Sequence, residues 1–319
     1  MNDERVIALD LGGTKLLTGL VGRDGVVVQR TVAHTETVSE ERLIAQIEGA
    51  VEDLLEDGVV GLGIGVPSLV DQRTGEAVSS VNVPIQGVPL RDLLRRRFGL
   101  PTAIENDANA AALAEHVFGA GQGTRNMVML TLGTGIGGGL VLNGELYRGA
   151  YGASAELGHV TIDLDGPRCQ GTCPGFGHLE VLASGTAAGK LVQEVVAQSP
   201  DSGLARAVSA GREPDARLAV ELAREGDAEA RGLLAEIGRR LGIGIASFVN
   251  IFNPELVVLG GGFARAAELI VDPALEVVRA QALEPSRNTV RIALAILGVE
   301  AGVIGAALVG FEAADAARP

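Results

Sequence analysis

Tryptophan is absent from the 319 residues, and seven Phe and two Tyr make up the whole aromatic complement. So few rings leave little on which to stack single-stranded bases. Basic side chains are outnumbered, 26 Lys and Arg against 40 Asp and Glu, for a formal net charge of −14 and a pI near 4.8. Nucleic-acid binders displace counterions with a basic face, so nucleic acid is a poor partner here. Two cysteines are too few for a disulfide framework. The longest apolar stretch, 301–311, falls far short of the roughly 18 residues of a membrane span. Met1-Asn2-Asp3-Glu4-Arg5 runs straight into Val6-Ile7-Ala8-Leu9, without the basic start and long apolar core of a secretory signal. These absences favour a cytoplasmic enzyme without a membrane partner.

What is abundant is glycine, 45 residues, in a chain that is 47% hydrophobic. The length suggests about two domains. Short β-like runs at 5–11, 16–21 and 26–34 are separated by Gly12-Gly13-Thr14 and by Arg23-Asp24-Gly25, the latter a hairpin signal. A helix capped by Ser39 is expected to about residue 56, a buried strand at 59–66, and a helix at 89–98. A short strand at 102–105 then meets an alanine-rich helix at 107–117. Helices dominate 186–252, a strand is expected at 256–259, an edge strand at 291–297 and a last helix at 303–312. Strands and helices mixed on this scale indicate an α/β fold.

The opening pattern returns at residue 127. Ile7-Ala8-Leu9-Asp10-Leu11-Gly12-Gly13-Thr14 and Val128-Met129-Leu130-Thr131-Leu132-Gly133-Thr134 are both a strand running into a Gly/Thr turn, each followed by a second strand. Two such units imply an internal duplication and two related lobes. In each turn the glycines let backbone N–H groups approach an anion without a Cβ in the way. Thr14 offers a hydroxyl, Lys15 a positive charge, and Asp10 can hold Mg²⁺ through water. A single turn of this kind is equally a plain β-hairpin; its repetition favours function.

Two other phosphate motifs fail on inspection. Gly185-Thr186-Ala187-Ala188-Gly189-Lys190-Leu191 has three residues between its glycines where a P-loop has four, and Leu191 where Ser or Thr binds Mg²⁺. Gly133-Thr134-Gly135-Ile136-Gly137-Gly138 fits G-x-G-x-x-G, but the next residues read as a strand and not the helix that a dinucleotide fingerprint requires.

Asp10 to Lys15, Thr131 to Leu140 and Val257 to Ala264 resemble the two phosphate motifs and the adenosine motif of the actin-like sugar kinases. Glu105-Asn106-Asp107-Ala108-Asn109-Ala110 and the segment 156–180 sharpen the resemblance to the ROK family (repressors, open reading frames, kinases), in particular its bacterial glucokinases. The resemblance spans 7–308. It implies an α/β, two-lobed, actin-like (ribonuclease H-like) sugar kinase fold with a cleft between the lobes. The small lobe is expected at 1–115 with a helix at about 301–316 packing back on it, and the large lobe at 116–300. It also implies ATP held by Asp10, Gly12, Gly13, Thr14, Lys15, Gly133, Thr134, Gly135, Gly260, Gly261 and Gly262, with Mg²⁺ near Asp10.

Asn106 and Asp107 stand where a strand meets a helix, and either can simply cap that helix. The resemblance implies more: Asp107 takes the proton of the attacking sugar hydroxyl, and Asn106 binds neighbouring hydroxyls. Phosphoryl transfer depends mainly on positioning and charge stabilisation, so a weak base suffices. Gly65, in Gly63-Ile64-Gly65-Val66-Pro67, resembles the segment that lays backbone against the sugar. Ser68 replaces the family's usual second glycine, and Val81-Asn82-Val83-Pro84-Ile85 lacks the aromatic often found there. Both departures lie on the sugar side.

Both cysteines and two of the four histidines fall within twenty positions: His159, nine residues, Cys169, three residues, Cys173, four residues, His178. All four are zinc ligands by type, and two thiolates with two imidazoles make a closed, structural set. The alternative, redox chemistry by the pair, lacks C-x-x-C spacing. The ROK zinc signature differs twice, with one residue between its first two cysteines where Gln170-Gly171-Thr172 intervene, and a third cysteine where His178 stands. The resemblance makes Glu156, His159 and Glu180 sugar contacts; read alone, the two glutamates are ordinary surface acids. An imidazole has two nitrogens, so His159 can serve metal and sugar at once.

The expectation is therefore an ATP-dependent phosphorylation of a hexose 6-hydroxyl, glucose first, with N-acetylmannosamine, N-acetylglucosamine or fructose as rivals. A sugar-responsive regulator is the different-class alternative. Regulators of this family carry a DNA-binding region ahead of the kinase-like part, and a first strand starting near residue 5 leaves no room for one. A homodimer or higher homo-oligomer is expected from the resemblance alone.

Overall fold

The computed structural model describes residues 4–80, 82–171 and 173–318; Val81 and Thr172 of the motifs above lie outside the described residues. The chain divides into two compact units, Met1–Gly123 with Gly139–Ala155 and Ile296–Pro319, and Thr124–Gly138 with Glu156–Ala295. In chain order the first unit begins with strands β1 (Arg5–Leu11), β2 (Lys15–Gly22) and β3 (Val27–His34), helix α1 (Glu40–Glu52) and strand β4 (Val59–Val66). Short strands β5 (Leu69–Asp71), β6 (Glu76–Ser79) and β7 (Gln86–Val88) follow, then α2 (Leu90–Phe98), β8 (Thr102–Asn106) and α3 (Asp107–Phe118). Next come β9 (Met127–Leu132), β10 (Ile136–Leu142), β11 (Glu145–Leu146), α4 (Leu179–Ala183), α5 (Gly185–Gln198), α6 (Gly203–Ser209), α7 (Ala216–Arg224) and α8 (Ala228–Phe252). The chain ends with β12 (Leu256–Gly260), α9 (Ala267–Gln281), α10 (Ser286–Thr289), β13 (Arg291–Leu294) and α11 (Ala301–Ala316).

The main sheet of the first unit runs β3-β2-β1-β4-β8. β1 pairs antiparallel with β2 and parallel with β4, and β4 parallel with β8. It is covered on both faces, which is why β1 reads as a continuous apolar run. Ile7, Leu9 and Leu11 join one core with Leu43 and Ile47 of α1, while Val6 and Ala8 join another with Val303, Ala306 and Phe311 of α11. Small residues let α11 approach closely. A Cβ on Gly63 of β4 would stand 1.7 Å from the Ala306 carbonyl oxygen, and one on Gly305 would stand 1.8 Å from that of Ala110 in α3. No side chain fits at either place.

The second five-stranded sheet has the order β11-β10-β9-β12-β13, with β12 parallel to both β9 and β13. The two orders match strand for strand: three consecutive strands, then two added in parallel beyond the first of them. The duplication expected from the two Gly/Thr turns is thus a duplication of sheet topology.

The two compact units differ from the expected lobe boundaries in two places. A division at 115/116 would cut α3, which continues to Phe118. Residues 139–155, expected in the large lobe, group with the first unit. Gly139 lies so close to α3 that an added Cβ would stand 2.4 Å from the Ala112 Cβ. The three-stranded sheet β5-β6-β7 has strands too short to show alternation, and α9 carries Pro273 inside it, a residue that argues against a helix interior. Among the described residues no helix is long and apolar enough to cross a membrane.

Candidate active site

Three neighbouring strands bring the N-terminal site residues to one end of the first sheet. In register, Asp10 of β1 stands beside Gly65 of β4, and Gly65 beside Glu105 of β8, with Val66 beside Asn106. The carboxyl ends of parallel strands are where open α/β sheets bind ligands. Gly12-Gly13-Thr14 turns β1 into β2, closed by the Gly12 N–H donating to the Lys15 carbonyl at 2.9 Å. Thr35 ties the turn down, its N–H donating to the Thr14 carbonyl at 3.1 Å and its hydroxyl to that of Gly12 at 2.7 Å. Lys15 is exposed. Asp10 faces the start of α11, where a Cβ on Gly302 would stand 2.3 Å from Oδ2. Burial pushes its carboxyl up to about 6, so the ionised form gains from any cation brought near.

Asn106 does cap α3. Its Oδ1 accepts the N–H groups of Ala108 at 3.0 Å and Asn109 at 3.1 Å, and its Nδ2 donates to the Ser68 carbonyl at 3.3 Å. The oxygen is thereby committed to the helix, leaving the amide nitrogen as the side available to a ligand. Asp107 is the first residue of α3, with Oδ1 accepting the Ala108 N–H at 2.8 Å. It sits at the positive end of the helix dipole.

Beneath this pair is the carboxylate of Glu105, the first residue of the Glu105–Ala110 motif, for which the sequence suggested no role of its own. Glu105 is fully buried. Its Oε1 accepts the Asn106 N–H at 3.0 Å and Asn109 Nδ2 at 3.1 Å. Its Oε2 accepts Arg148 Nε at 2.6 Å and Gln72 Nε2 at 3.3 Å. Arg148 also reaches Glu312 at 3.1 Å. Burial works against the guanidinium charge, but the two carboxylates outweigh it and hold its pKa above the usual arginine value. Forty-three positions separate Arg148 from Glu105, so no local motif could pair them.

The second unit repeats the arrangement. Thr131 of β9 pairs with Gly260 of β12, so the turn 133–135 and the glycines 260–262 follow adjacent parallel strands. The turn is closed by the Gly133 N–H donating to the Gly135 carbonyl at 2.9 Å, and the Gly185 N–H donates to the Gly133 carbonyl at 2.9 Å. A cavity of about 920 Å³ lies here, lined among others by Gly133, Thr134, Gly185, Thr186, Lys190 and Gly262. Gly185 and Thr186 open α5, capped by Ser184, and a helix N-terminus favours an anion. The stretch that fails as a P-loop is therefore part of this cavity.

The four Cys/His residues converge. Their ligand atoms all lie within 4.8 Å of one another. The Nδ1 atoms of His159 and His178 are 3.2 Å apart, and each lies 3.6 Å from a sulfur, Cys169 and Cys173 respectively. Tetrahedral zinc with its usual bond lengths separates two nitrogens by about 3.4 Å and a nitrogen from a sulfur by about 3.6 Å. Donor set and spacing both fit. Burial pushes the Cys169 thiol up to about 11, so a cation is needed to hold it as thiolate. His159 turns Nε2 the other way, 3.8 Å from Glu156 Oε2. Burial raises the Glu156 pKa, with Glu180 adding to the rise and His159 opposing it. Glu156, His159 and Glu180 lie in the second unit, and Gly65, Asn106 and Asp107 in the first.

Comparison with known proteins adds names to this geometry. The model of the ROK family matches residues 6–311. A glucokinase of Thermotoga maritima is 38% identical over 308 residues, 95% of this chain and 96% of that one. The crystal structure of a ROK family glucokinase from Streptomyces griseus in complex with glucose and AMPPNP superposes with a TM-score of 0.83 at 32% identity, covering 97% of this chain and 99% of that one. A xylose repressor of Caldicellulosiruptor bescii is 30% identical over 307 residues, 94% of this chain and 76% of its own length.

Proposed function

The chain belongs to the ROK family, and on that footing we propose that it is an ATP-dependent hexose kinase transferring the γ-phosphoryl group to the 6-hydroxyl of glucose. One observation carries the reading: strand register gathers Asp10, the first glycine turn, Gly65 and the Asn106-Asp107 pair at the carboxyl ends of β1, β4 and β8. A kinase of this kind needs phosphate-holding backbone, an acid to steer a cation and a carboxylate to meet the hydroxyl. Residues of the types that could serve all three needs stand at these strand ends, which supports the reading.

Asp107 accepts the proton of the 6-hydroxyl as the bond to phosphorus forms, and Asn106 Nδ2 donates to a neighbouring hydroxyl. Gly65 lends backbone to the sugar face. Glu156, the Nε2 of His159 and Glu180 hold further hydroxyls. Gly12, Gly13, Thr14, Lys15, Gly133, Thr134 and Gly135 hold the phosphates, and Gly260, Gly261 and Gly262 border the adenosine. The raised carboxyl of Asp10 suits it to accept a hydrogen bond from a magnesium-bound water. Magnesium, when bound, neutralises charge on the phosphates. His159, Cys169, Cys173 and His178 would hold zinc, which would fix the segment carrying Glu156 and the start of α4 with Glu180 without touching the reacting atoms. Association into a homodimer belongs to the same reading.

Likeness to a xylose repressor supports a second reading, a sugar-responsive regulator without catalysis. ADP release with Mg-ATP across glucose, fructose, mannose, N-acetylglucosamine and N-acetylmannosamine separates the two, with Asp107→Ala run alongside. Glucose-dependent turnover absent from the variant is the kinase outcome. Binding of a sugar without ADP release above the variant's level overturns it in favour of the regulator.

A further inference from the structure

Glu180 belongs by position to the sugar side, two residues beyond His178 of the metal cluster, yet its carboxylate ends at the phosphate side. Its Oε2 accepts the N–H of Ile136 at 2.9 Å. It lies so close beneath the second glycine turn that a Cβ on Gly135 would stand 2.1 Å from it. Ile136 is the residue at which that turn becomes β10. The far end of α4, the short helix that carries Glu180, also reaches the turn. The Ser184 N–H donates to the Glu180 carbonyl at 3.2 Å, and the following N–H, of Gly185, donates to the Gly133 carbonyl. On the remaining side the Ile136 carbonyl abuts Gly158, where an added Cβ would stand 2.1 Å away, in the loop that carries His159.

We propose that Glu180 is a positioning residue of the phosphate turn, so that one carboxylate on the short helix that follows the Cys/His cluster sets the backbone that holds the nucleotide. The proposal rests on the hexose kinase reading for the identity of the ligands. Its physical content is simple. Gly133-Thr134-Gly135 has little intrinsic conformational preference, so its shape comes from its anchors. A carboxylate accepting a backbone N–H is among the stronger of these. Packing of the same oxygen against Gly135 fixes the direction as well as the distance. Whatever moves Glu180 therefore moves the turn, and a sugar held by this side chain alters nucleotide affinity through it.

The test measures nucleotide binding directly. Mg-AMPPNP is titrated calorimetrically into the sugar-free protein for wild type, Glu180→Gln and Glu180→Ala, with kinase KM values for ATP and glucose alongside and thermal melts as a folding control. A glutamine carbonyl can accept the Ile136 N–H, so Glu180→Gln keeps nucleotide Kd within about twofold while its glucose KM rises. Glu180→Ala weakens nucleotide binding about tenfold, the scale of one hydrogen bond to a charged group. Gly135→Ala pushes a methyl into the carboxylate and weakens binding on its own, and adding Glu180→Ala to it recovers part of the loss. Wild-type nucleotide affinity in Glu180→Ala, or equal losses in the Gln and Ala variants, overturns the proposal. A protein that binds Mg-AMPPNP but phosphorylates no hexose overturns the kinase reading alone, leaving the Glu180 comparison legible.

Discussion

Replacing Arg148 by methionine tests whether the buried carboxylate under the Asn106-Asp107 pair organises it. Methionine keeps much of the apolar stem and removes the charge. Glu105 then loses its 2.6 Å partner while remaining fully buried. Breaking a buried pair from one side costs about 3–5 kcal/mol. Two features lower that here. The Arg148 side chain is 30% exposed, and Glu105 retains the Asn106 N–H, Asn109 Nδ2 and Gln72 Nε2 as donors. The expected loss is about 2–3 kcal/mol in urea unfolding at 25 °C, scaling the one-sided cost to a partly exposed, still hydrogen-bonded site. Combining Arg148→Met with Glu105→Gln removes both charges, and the double variant should recover roughly 1–2 kcal/mol of the summed single losses. Because Glu105 Oε1 holds the Asn106 backbone, kcat falls in Arg148→Met more than the ATP KM rises. A loss below about 0.5 kcal/mol, the size of an ordinary surface change, or strict additivity in the double variant, refutes the reasoning.

Asp107→Ala lowers kcat about a thousandfold, the scale of general-base loss, with Mg-AMPPNP affinity unchanged by calorimetry and stability lowered by only about 1 kcal/mol or less, the value of a carboxylate at a helix N-terminus. Gly305→Ala forces a methyl into the Ala110 carbonyl and costs about 3 kcal/mol or more. Gly49→Ala, in α1 with nothing within 4 Å, stabilises by about 0.5–1 kcal/mol; denaturation curves check both. One zinc per chain is expected by plasma emission spectrometry, and His178→Ala should lose it and lower the melting temperature. Glu255 accepts the N–H groups of Arg125 and Asn126, which holds its carboxyl below the usual 4.5. A depressed folded pKa gives stability that is present above pH 4.5 and lost as pH falls through the lower value. Stability curves of wild type and Glu255→Gln should therefore differ above about pH 5, by under ~1 kcal/mol since the site is exposed, and converge as the pH falls below 4.5.

Local signals carried most of the elements. Ser39 caps α1 as expected, its side chain accepting from the Arg42 N–H, and β4 and β9 begin and end where apolar runs meet turn residues. Such features depend on a few adjacent residues. The Glu105 network does not. A glutamate inside an apolar strand is ambiguous until the partner is known, and its partner comes from 43 positions away. Likewise, the segment 139–155 carries strand and turn signals that say nothing about which unit it will pack against. Gly139 decides that through a contact with Ala112, and contacts of this kind leave no periodic trace. Clustering of scarce residues was the exception to this rule. The convergence of two cysteines and two histidines was legible from their falling within twenty positions, because loops bring near neighbours together cheaply.

The stretch 185–190 shows what a spacing test can and cannot exclude. Its missing residue and Leu191 rule out the P-loop, in which one loop wraps the phosphates and a hydroxyl holds magnesium. They do not rule out proximity to a phosphate. Ser184 caps α5, the Gly185 N–H closes on the Gly133 carbonyl, and Thr186 and Lys190 line the same cavity as Thr134. A helix N-terminus and an ammonium group one turn further on are sufficient to favour an anion, whatever motif they belong to. Lys190→Ala should accordingly weaken Mg-AMPPNP binding by about three- to tenfold, the range for one exposed-to-half-buried charge contact. It should leave the glucose KM unchanged, since no sugar-side residue is altered. Undiminished nucleotide affinity in that variant would show that the cavity at the start of α5 lies beside the nucleotide site and does not belong to it.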